Sequence, residues 1–441
     1  MPDPVSLPLT MLDESLLLLQ QSRATWNVQL ELGTDGHLEE GRLRQAVLTS
    51  CRRHPLARAR LARSPQGETS YQWDIVEEVD LDPLRVVDCP DAAALDRLRV
   101  QLYPPGIDLT VSPGFRVILA CRPEGDLLLL CASHIVADGV GVVRLMQSIA
   151  RAYQGQPDPP DPLPLAQARD LSSFLAPQST AERRARQLEG LRRVREALDP
   201  PSRIAVVGGT NRGGFGFAFR ALELGEATAP ALVQRPAGTT INDVLVAALH
   251  LTVQSWNAKH DAPAGRIGVM MPVNVRPADR LWEVVSNLTS MVSISTVAND
   301  RVNLAAATAA VAGQTNKIRR NNRAYGLYDL LAVTSKAPLA VKRAVPRLIH
   351  LAGDRFVDTA MLSNLGRIPE PPSFPPDPAG QPAQLWFSPP CDPSCSVSIG
   401  VATSGKRLAL VARYRHEQFD AAAAEEFIDQ LMAQITSPMP C

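Results

Sequence analysis

A histidine, an aspartate and a glycine stand at fixed offsets in His134-Ile135-Val136-Ala137-Asp138-Gly139. Imidazole titrates near neutrality, so a neutral His134 ring can accept a proton from an attacking hydroxyl or amine at physiological pH. Asp138 can orient that ring or lock the turn through a salt bridge. Gly139 frees the backbone to turn and to approach a ligand closely. The same residues also read as a core histidine at a strand end, a helix N-cap and a turn glycine. The spacing alone does not choose between the two readings.

The flanking segments show what must position these groups. Phe115 to Cys121 is β-like and Leu127 to Cys131 is wholly apolar, with Pro123-Glu124-Gly125-Asp126 between them as turn chemistry, so the pair predicts a hairpin. Past Gly139, the residues Val142, Leu145, Met146, Ile149 and Tyr153 repeat with helical spacing. His134 therefore falls where a buried strand ends and a helix begins. The free N–H groups of that helix start can serve a developing oxyanion.

Elsewhere, Leu43, Ala46, Val47 and Cys51 share one face of a helix from about Glu40 to Arg53. The proline-dense stretch Pro157 to Pro164 closes this first block. An arginine-rich helix at about Thr180 to Leu198 reads as a connector whose basic face is solvated or meets an acidic partner. A second block starts near Ile204. Thr240 and Asp243 form a capping box, followed by the stripe Ile241, Leu245, Ala248, Leu249, Thr252 and Trp256. Arg266 to Val275, Leu288 to Val297 and Arg407 to Tyr414 read as strands, and a closing helix runs from about Asp420 to Gln434. Pro369 to Pro393 is too long for a simple connection and predicts a functional or lobe-crossing role. The expected organisation is an N-terminal lobe over residues 1–178, a linker helix over 179–200 and a C-terminal lobe over 201–441.

Composition removes other classes. The chain has 45 basic and 45 acidic residues and no net charge, which excludes the basic footprint of a nucleic-acid binder. Hydrophobic residues make up 45% and charged residues 20%, as in soluble enzymes. The arginine, alanine and proline bias reads as high-GC bacterial coding. The first residues lack a basic n-region, and Leu16 to Leu19 is too short for a signal core. No apolar run reaches the roughly 18–20 residues of a membrane helix, and no exposed apolar patch for membrane docking is obvious. The expectation is a cytoplasmic monomer without stable membrane insertion. Seven cysteines are an odd number, against a disulfide framework. Cys391 and Cys395 lack a nearby histidine and read as free thiols, with no metal expected. Gly208 to Gly216 follows an expected strand but fits neither GxGxxG nor a P-loop.

The run Leu127–Gly141, LLLLCASHIVADGVG, resembles the HHxxxDG region of the condensation-domain superfamily, which shares the chloramphenicol acetyltransferase fold. Leu43–Leu61, LRQAVLTSCRRHPLARARL, is similar to the family's early helix and its RHP turn, and Pro105–Cys121, PGIDLTVSPGFRVILAC, to the approach to the motif. Thr239–Leu249, TTINDVLVAAL, resembles the T-x-N-D helix of wax ester synthases and related acyltransferases. Met271–Val292, MPVNVRPADRLWEVVSNLTSMV, is like the P-V-N-x-R-P strand and the strand after it, and Leu362–Arg367, LSNLGR, resembles the S-N-x-G segment of the active channel. These segments keep the family's order and span nearly the whole chain. The resemblance implies an α/β fold (an α+β sandwich) of two chloramphenicol acetyltransferase-like lobes in a V, with a tunnel entered from opposite faces.

On that resemblance His134 is the catalytic histidine and Gly139 lies at the reacting centre. Asp138 pairs with Arg276 as structural support of the site. Ser133, Ser363 and Asn364 line the substrate channel; Ser363 and Asn364 equally read as turn residues before Gly366, and Asn242 and Asp243 as a helix cap. Ser133 stands where the family's first histidine would be, which alters the support of the His134 ring. The DFGWG motif of plant acyltransferases is absent, and no adenylation or carrier segment is recognisable, so a free-standing member is expected.

The implied function is an acyltransferase condensing a phosphopantetheine-linked acyl thioester with an amine or alcohol acceptor, in specialised-metabolite biosynthesis. An acyl carrier protein or coenzyme A presents the donor, and no cofactor is tightly bound. Arg319, Arg320 and Arg323 either meet donor phosphates at a tunnel mouth or form a solvated helix face. The alternatives are a lipid O-acyltransferase of the wax ester or diacylglycerol type, and a catalytically silent condensation-like protein that recruits partners.

Overall fold

The computed structural model describes residues 5–22, 25–62, 70–103, 105–160, 163–172, 176–196, 198–211, 213–277, 282–320, 322, 324, 326, 329, 331, 337–344, 355, 357–374, 384–391 and 395–439. The N-terminal half contains β1 (Val5–Pro8), α1 (Met11–Ser22), β2 (Asn27–Gly33), α2 (Glu40–Arg53), β3 (Ala59–Leu61) and β4 (Gln72–Ile75). It continues with β5 (Leu84–Asp88), α3 (Ala92–Leu102), β6 (Phe115–Cys121), β7 (Leu127–Ser133), α4 (Gly139–Gln154) and α5 (Leu165–Arg169). After α6 (Thr180–Glu196) come β8 (Phe215–Glu223), α7 (Pro230–Val233), α8 (Ile241–Lys259), β9 (Ile267–Asn274), β10 (Thr289–Thr296) and α9 (Leu304–Arg320). The last elements are β11 (Ala360–Ile368), β12 (Leu385–Ser388), β13 (Val397–Ser404), β14 (Arg407–Arg415) and α10 (Ala421–Thr436).

The predicted hairpin is β6–β7, antiparallel with Val117 opposite Leu130. Every residue of β7 is buried, because the strand lies inside a sheet of order β12-β2-β7-β6-β5. An interior strand covered on both faces needs an unbroken apolar run, which is what LLLLCAS supplies. The second sheet runs β10-β9-β11-β13-β14-β8, with β11 parallel to both β9 and β13. A small sheet, β1-β4-β3, adjoins the first.

Two apolar cores accompany the two main sheets, one built on β2, β6, β7, α2 and α4, the other on α8, α10 and β13–β14. Trp256 of α8 packs edge-on against Phe419 and Phe427 in the second core. The Thr240–Asp243 box starts α8, with Thr240 N–H donating to Asp243 Oδ2 at 2.7 Å. The connector α6 turns its acidic residues inward: Arg186 pairs with Glu182, and Arg192 with Glu189 and Glu196.

The proline-rich stretch contributes β12, which pairs antiparallel with β2, Phe387 opposite Leu30. A strand from the C-terminal half thus completes the N-terminal sheet. One expectation is corrected. Residues 204–207 form no strand; Val207 and Gly208 make only isolated bridges to Phe419. The apolar side chain of Ile204 belongs to the core beside α8 and α10 without ladder pairing.

Candidate active site

His134 lies one residue past β7. Its backbone N–H donates to the Trp26 carbonyl at 2.8 Å, extending the β2–β7 ladder by a step. Val136 and Ala137 N–H groups return to the Ser133 carbonyl at 2.9 and 3.2 Å, closing the turn into α4. The His134 ring is half-buried and stands edge-on to Trp26, centroids 6.4 Å apart. Its Nδ1 is buried without a hydrogen bond of good geometry, although the residue's own carbonyl lies close. That arrangement favours the proton on Nδ1 and leaves the Nε2 lone pair for the cavity. Burial pushes the ring's pKa below its ordinary value of 6.5, the Asp138 charge and the carbonyl opposing only in part. The imidazole is therefore neutral at pH 7.

Asp138 does not hold the ring. Its Oδ1 accepts from Gly141 N–H at 2.9 Å and Arg276 Nη2 at 2.8 Å. Its Oδ2 accepts from Arg276 Nη1 at 2.6 Å, Leu288 N–H at 2.8 Å and Thr289 Oγ1 at 2.8 Å. Burial alone pushes this carboxyl up; the Arg276 guanidinium and these hydrogen bonds outweigh it and hold the pKa below the usual range. Arg276 is buried and also donates to the Ser286 carbonyl at 2.8 Å. The pair ties the start of α4 to the end of β9 and the approach to β10, and so joins the two lobes.

Small residues make that junction possible. A Cβ on Gly139 would meet Leu365 Cδ2 at 2.6 Å and the Phe387 ring at 2.9 Å, and one on Gly141 would meet the Ser286 carbonyl oxygen at 2.9 Å. No backbone hydrogen bond to a described residue occupies the Gly139 or Val140 N–H. Both residues line the cavity that His134 faces, so their N–H groups stand at its wall beside the ring.

The cavity measures about 130 Å³ and lies between the lobes. Leu16, Trp26 and Val28 contribute from the N-terminal side, and Met291, Met361 and Phe387 from the C-terminal half. A hollow of about 510 Å³ between α8 and α9 shares Pro272, Asn274, Asn364 and Leu365 with it. Another, of about 540 Å³ beside α1 and α5, shares Leu12. The two hollows thus adjoin the chamber as vestibules.

Ser363 and Asn364 line the chamber on β11, where the pairing with β13 shifts register after Asn364. Asn364 Oδ1 accepts from Gly366 N–H at 2.8 Å, so it is both a wall and a turn residue. Ser133 is corrected: it is fully buried and does not line the chamber. Successive strand residues face opposite sides, and Ser133 precedes the residue that faces the cavity. Arg319 lies in the α8–α9 vestibule, 3.8 Å from Asp243; Arg320 is exposed on the same helix; Arg323 lies outside the described residues. Asp243 is spent on the cap and on Thr315 Oγ1 at 2.7 Å, while Asn242 Nδ2 faces Met271 Sδ at 2.8 Å. The Cys391 and Cys395 thiols donate to the Cys395 and Val397 carbonyls at 2.9 and 3.3 Å.

His54 of the RHP turn joins a second set of residues with catalytic types. Its Nε2 lies 2.7 Å from Ser148 Oγ, which lies 2.6 Å from Asp158 Oδ2. Arg144 grips the same carboxylate at 2.9 and 3.1 Å, and none of these residues lines the chamber. The set is a brace between α2, α4 and the chain after α4. Sequence reasoning missed the chamber walls Trp26, Trp282, Met291, Met361 and Phe387. They come from separate segments with no shared spacing.

A two-lobed chloramphenicol acetyltransferase-like fold with His134 at the junction is the class defined by this geometry. The Condensation domain family matches over residues 7–340, and the chain belongs to that family. It is 35% identical over 416 residues to the uncharacterized protein Rv2305 of Mycobacterium tuberculosis (strain ATCC 25618 / H37Rv), covering 93% of this chain and 94% of that one. It is 29% identical over 154 residues to a dimodular nonribosomal peptide synthase of Bacillus subtilis (strain 168), covering 34% of this chain but 6% of the synthase. Among solved structures, the first condensation domain of the calcium-dependent antibiotic synthetase, in complex with a substrate analogue, superimposes with TM-score 0.71 at 15% identity, covering 99% of this chain and 98% of that one. The starter condensation domain of rhizomide synthetase, in complex with C8-CoA and Leu-SNAC, gives TM-score 0.67 at 16% identity over 98% and 95%.

Proposed function

We propose that this protein is a cytoplasmic acyltransferase that joins an acyl group, carried as a phosphopantetheine thioester on a carrier protein or coenzyme A, to an amine or alcohol in specialised-metabolite synthesis. One observation carries the reading. A neutral imidazole with a free Nε2 lone pair shares an interlobe chamber with the open N–H groups of Gly139 and Val140.

The acceptor heteroatom attacks the thioester carbonyl as His134 Nε2 takes or positions its proton. The carbonyl oxygen becomes an oxyanion facing the Gly139 and Val140 N–H groups. Collapse breaks the C–S bond, and the thiolate leaves with the proton returned from His134. Ester or amide and free thiol are the products, so no covalent enzyme intermediate and no metal are needed. Asp138 and Arg276 act as positioning residues that fix the start of α4 against the C-terminal lobe. Ser363 and Asn364 form part of the channel wall. The two vestibules suit separate entry of donor and acceptor, with Arg319 at one mouth for a donor phosphate.

The test is incubation of the purified protein with hexanoyl-coenzyme A, or a hexanoyl-loaded carrier protein, and a panel of primary alcohols and amines, read by mass spectrometry. Enzyme-dependent ester or amide with stoichiometric thiol release is the expected result. Thioester hydrolysis alone, or no turnover across the panel, contradicts the proposal.

A further inference from the structure

Among the described residues lining the chamber, Asp138 is the only one that carries a charge at pH 7, and that charge is spent. Its two oxygens receive five hydrogen bonds, two of them from Arg276. Several polar neighbours are committed as well. Ser15 Oγ donates to the Leu12 carbonyl at 2.8 Å and Thr289 Oγ1 to Asp138 at 2.8 Å. Asn274 Oδ1 accepts from Arg276 N–H at 3.0 Å, and Asn364 Oδ1 from Gly366 N–H at 2.8 Å. Arg319 stands outside, in the α8–α9 vestibule, 52% exposed and 3.8 Å from Asp243.

We infer, resting on the proposed acyl transfer, that the chamber is selective for uncharged acyl groups: an aliphatic or aryl acyl chain that carries neither an α-ammonium nor a carboxylate. An ammonium carries three donors and no acceptor, so it needs several acceptor atoms. The chamber offers it Trp26, Met291, Met361 and Phe387, with the neutral acceptors His134 Nε2 and Ser363 Oγ but no carboxylate oxygen left unfilled among the described walls. A carboxylate fares no better, because the Arg276 guanidinium is bound to Asp138, the described walls hold no second cation, and the Gly139 and Val140 N–H groups are taken by the thioester carbonyl in the proposed reaction. An ion held there without a partner keeps most of its desolvation cost. The acceptor is bound by the same rule and enters as a neutral alcohol or amine, the form in which it is nucleophilic.

The experiment measures binding without turnover. Pantetheine ketone analogues, with the thioester sulfur replaced by methylene, carry hexanoyl, 2-hydroxyhexanoyl, 2-aminohexanoyl or adipoyl groups. Each is titrated into the wild-type protein at pH 7 by isothermal calorimetry. The hydroxy and amino compounds match in size and differ in charge. The expected result is that the hydroxy compound binds within about threefold of hexanoyl and the adipoyl compound at least ~100-fold more weakly, while the amino compound binds about tenfold more weakly than the hydroxy one, the limit set by the roughly one tenth of it that is unprotonated at pH 7. Raising the pH to about 9, above an ordinary α-amino pKa, restores affinity to the amino compound alone. Equal binding of amino and hydroxy compounds at pH 7 overturns the inference and leaves acyl transfer standing. Equal weakness of the two also overturns it, since shape rather than charge would then exclude them. Charge discrimination without transfer to any acceptor supports the inference and defeats the proposed reaction. Failure of the hexanoyl compound to bind overturns both.

Discussion

Replacing Arg276 by alanine tests the interlobe latch. The substitution removes both guanidinium bonds to Asp138, 2.6 and 2.8 Å, and the bond to the Ser286 carbonyl at 2.8 Å. Asp138 keeps Gly141, Leu288 and Thr289 as donors, so the carboxylate is not stripped bare. Breaking a buried pair by deleting one partner costs about 3–5 kcal/mol, and the three surviving donors place Arg276→Ala toward the lower end. Asp138→Asn leaves the guanidinium with carbonyl acceptors and costs a similar ~3 kcal/mol. The double variant no longer contains the stranded charge, so its loss falls short of the sum by about 2 kcal/mol or more. Arg276→Lys does not rescue, because an ammonium cannot reproduce the two parallel bonds. Urea unfolding of the wild type and the four variants at pH 7 reads these values directly. Single losses under about 1 kcal/mol, or additive losses in the double variant, would refute the latch.

Gly139→Ala places a methyl 2.6 Å from Leu365 Cδ2 and 2.9 Å from the Phe387 ring. It is expected to cost about 1–3 kcal/mol by overpacking, with acyl transfer lost more steeply than stability. Leu365→Ala in the same chain should recover part of the stability; no recovery means that the contact is not the cause. His250 is buried between the Val246 and Ile294 carbonyls, and burial pushes its pKa from 6.5 down to about 4. Below pH 6.5 the unfolded chain takes up the proton and the folded one does not, so stability falls with falling pH, by up to about 3 kcal/mol at pH 4. His250→Leu should remove that one-proton slope from urea midpoints measured between pH 6.5 and 4.5. Parallel slopes for variant and wild type would contradict it.

Local pattern carries the elements on which a single face or run dominates. The helix at Glu40–Arg53, the β6–β7 hairpin and the start of α4 follow from apolar period and turn chemistry, and His134, Asp138 and Gly139 follow with them. The Asp138–Arg276 contact spans 138 residues of sequence and no local signal encodes it; only the family resemblance brought the two together. The chamber walls were not legible for the same reason. Phe387 reaches the site because four residues inside a proline-rich stretch add a strand to β2, a pairing decided by tertiary packing. Ser133 shows the reverse error: the resemblance put it in the channel, and strand alternation turned it away. Residues 204–207 have strand composition but join no sheet, and Val207 makes only an isolated bridge to Phe419.

His134 as the group that handles the acceptor's proton is the claim most directly open to measurement. Single-turnover transfer from hexanoyl-coenzyme A to a working acceptor, followed from pH 5 to 9 for wild type, His134→Ala and His134→Gln, separates its roles. The expected wild-type profile rises to a plateau with an apparent pKa below 6.5, because burial keeps the imidazole neutral. Both variants should lose that inflection and about 10²–10⁴-fold in rate. Transfer at wild-type rate by His134→Ala, with the inflection intact, would contradict the account.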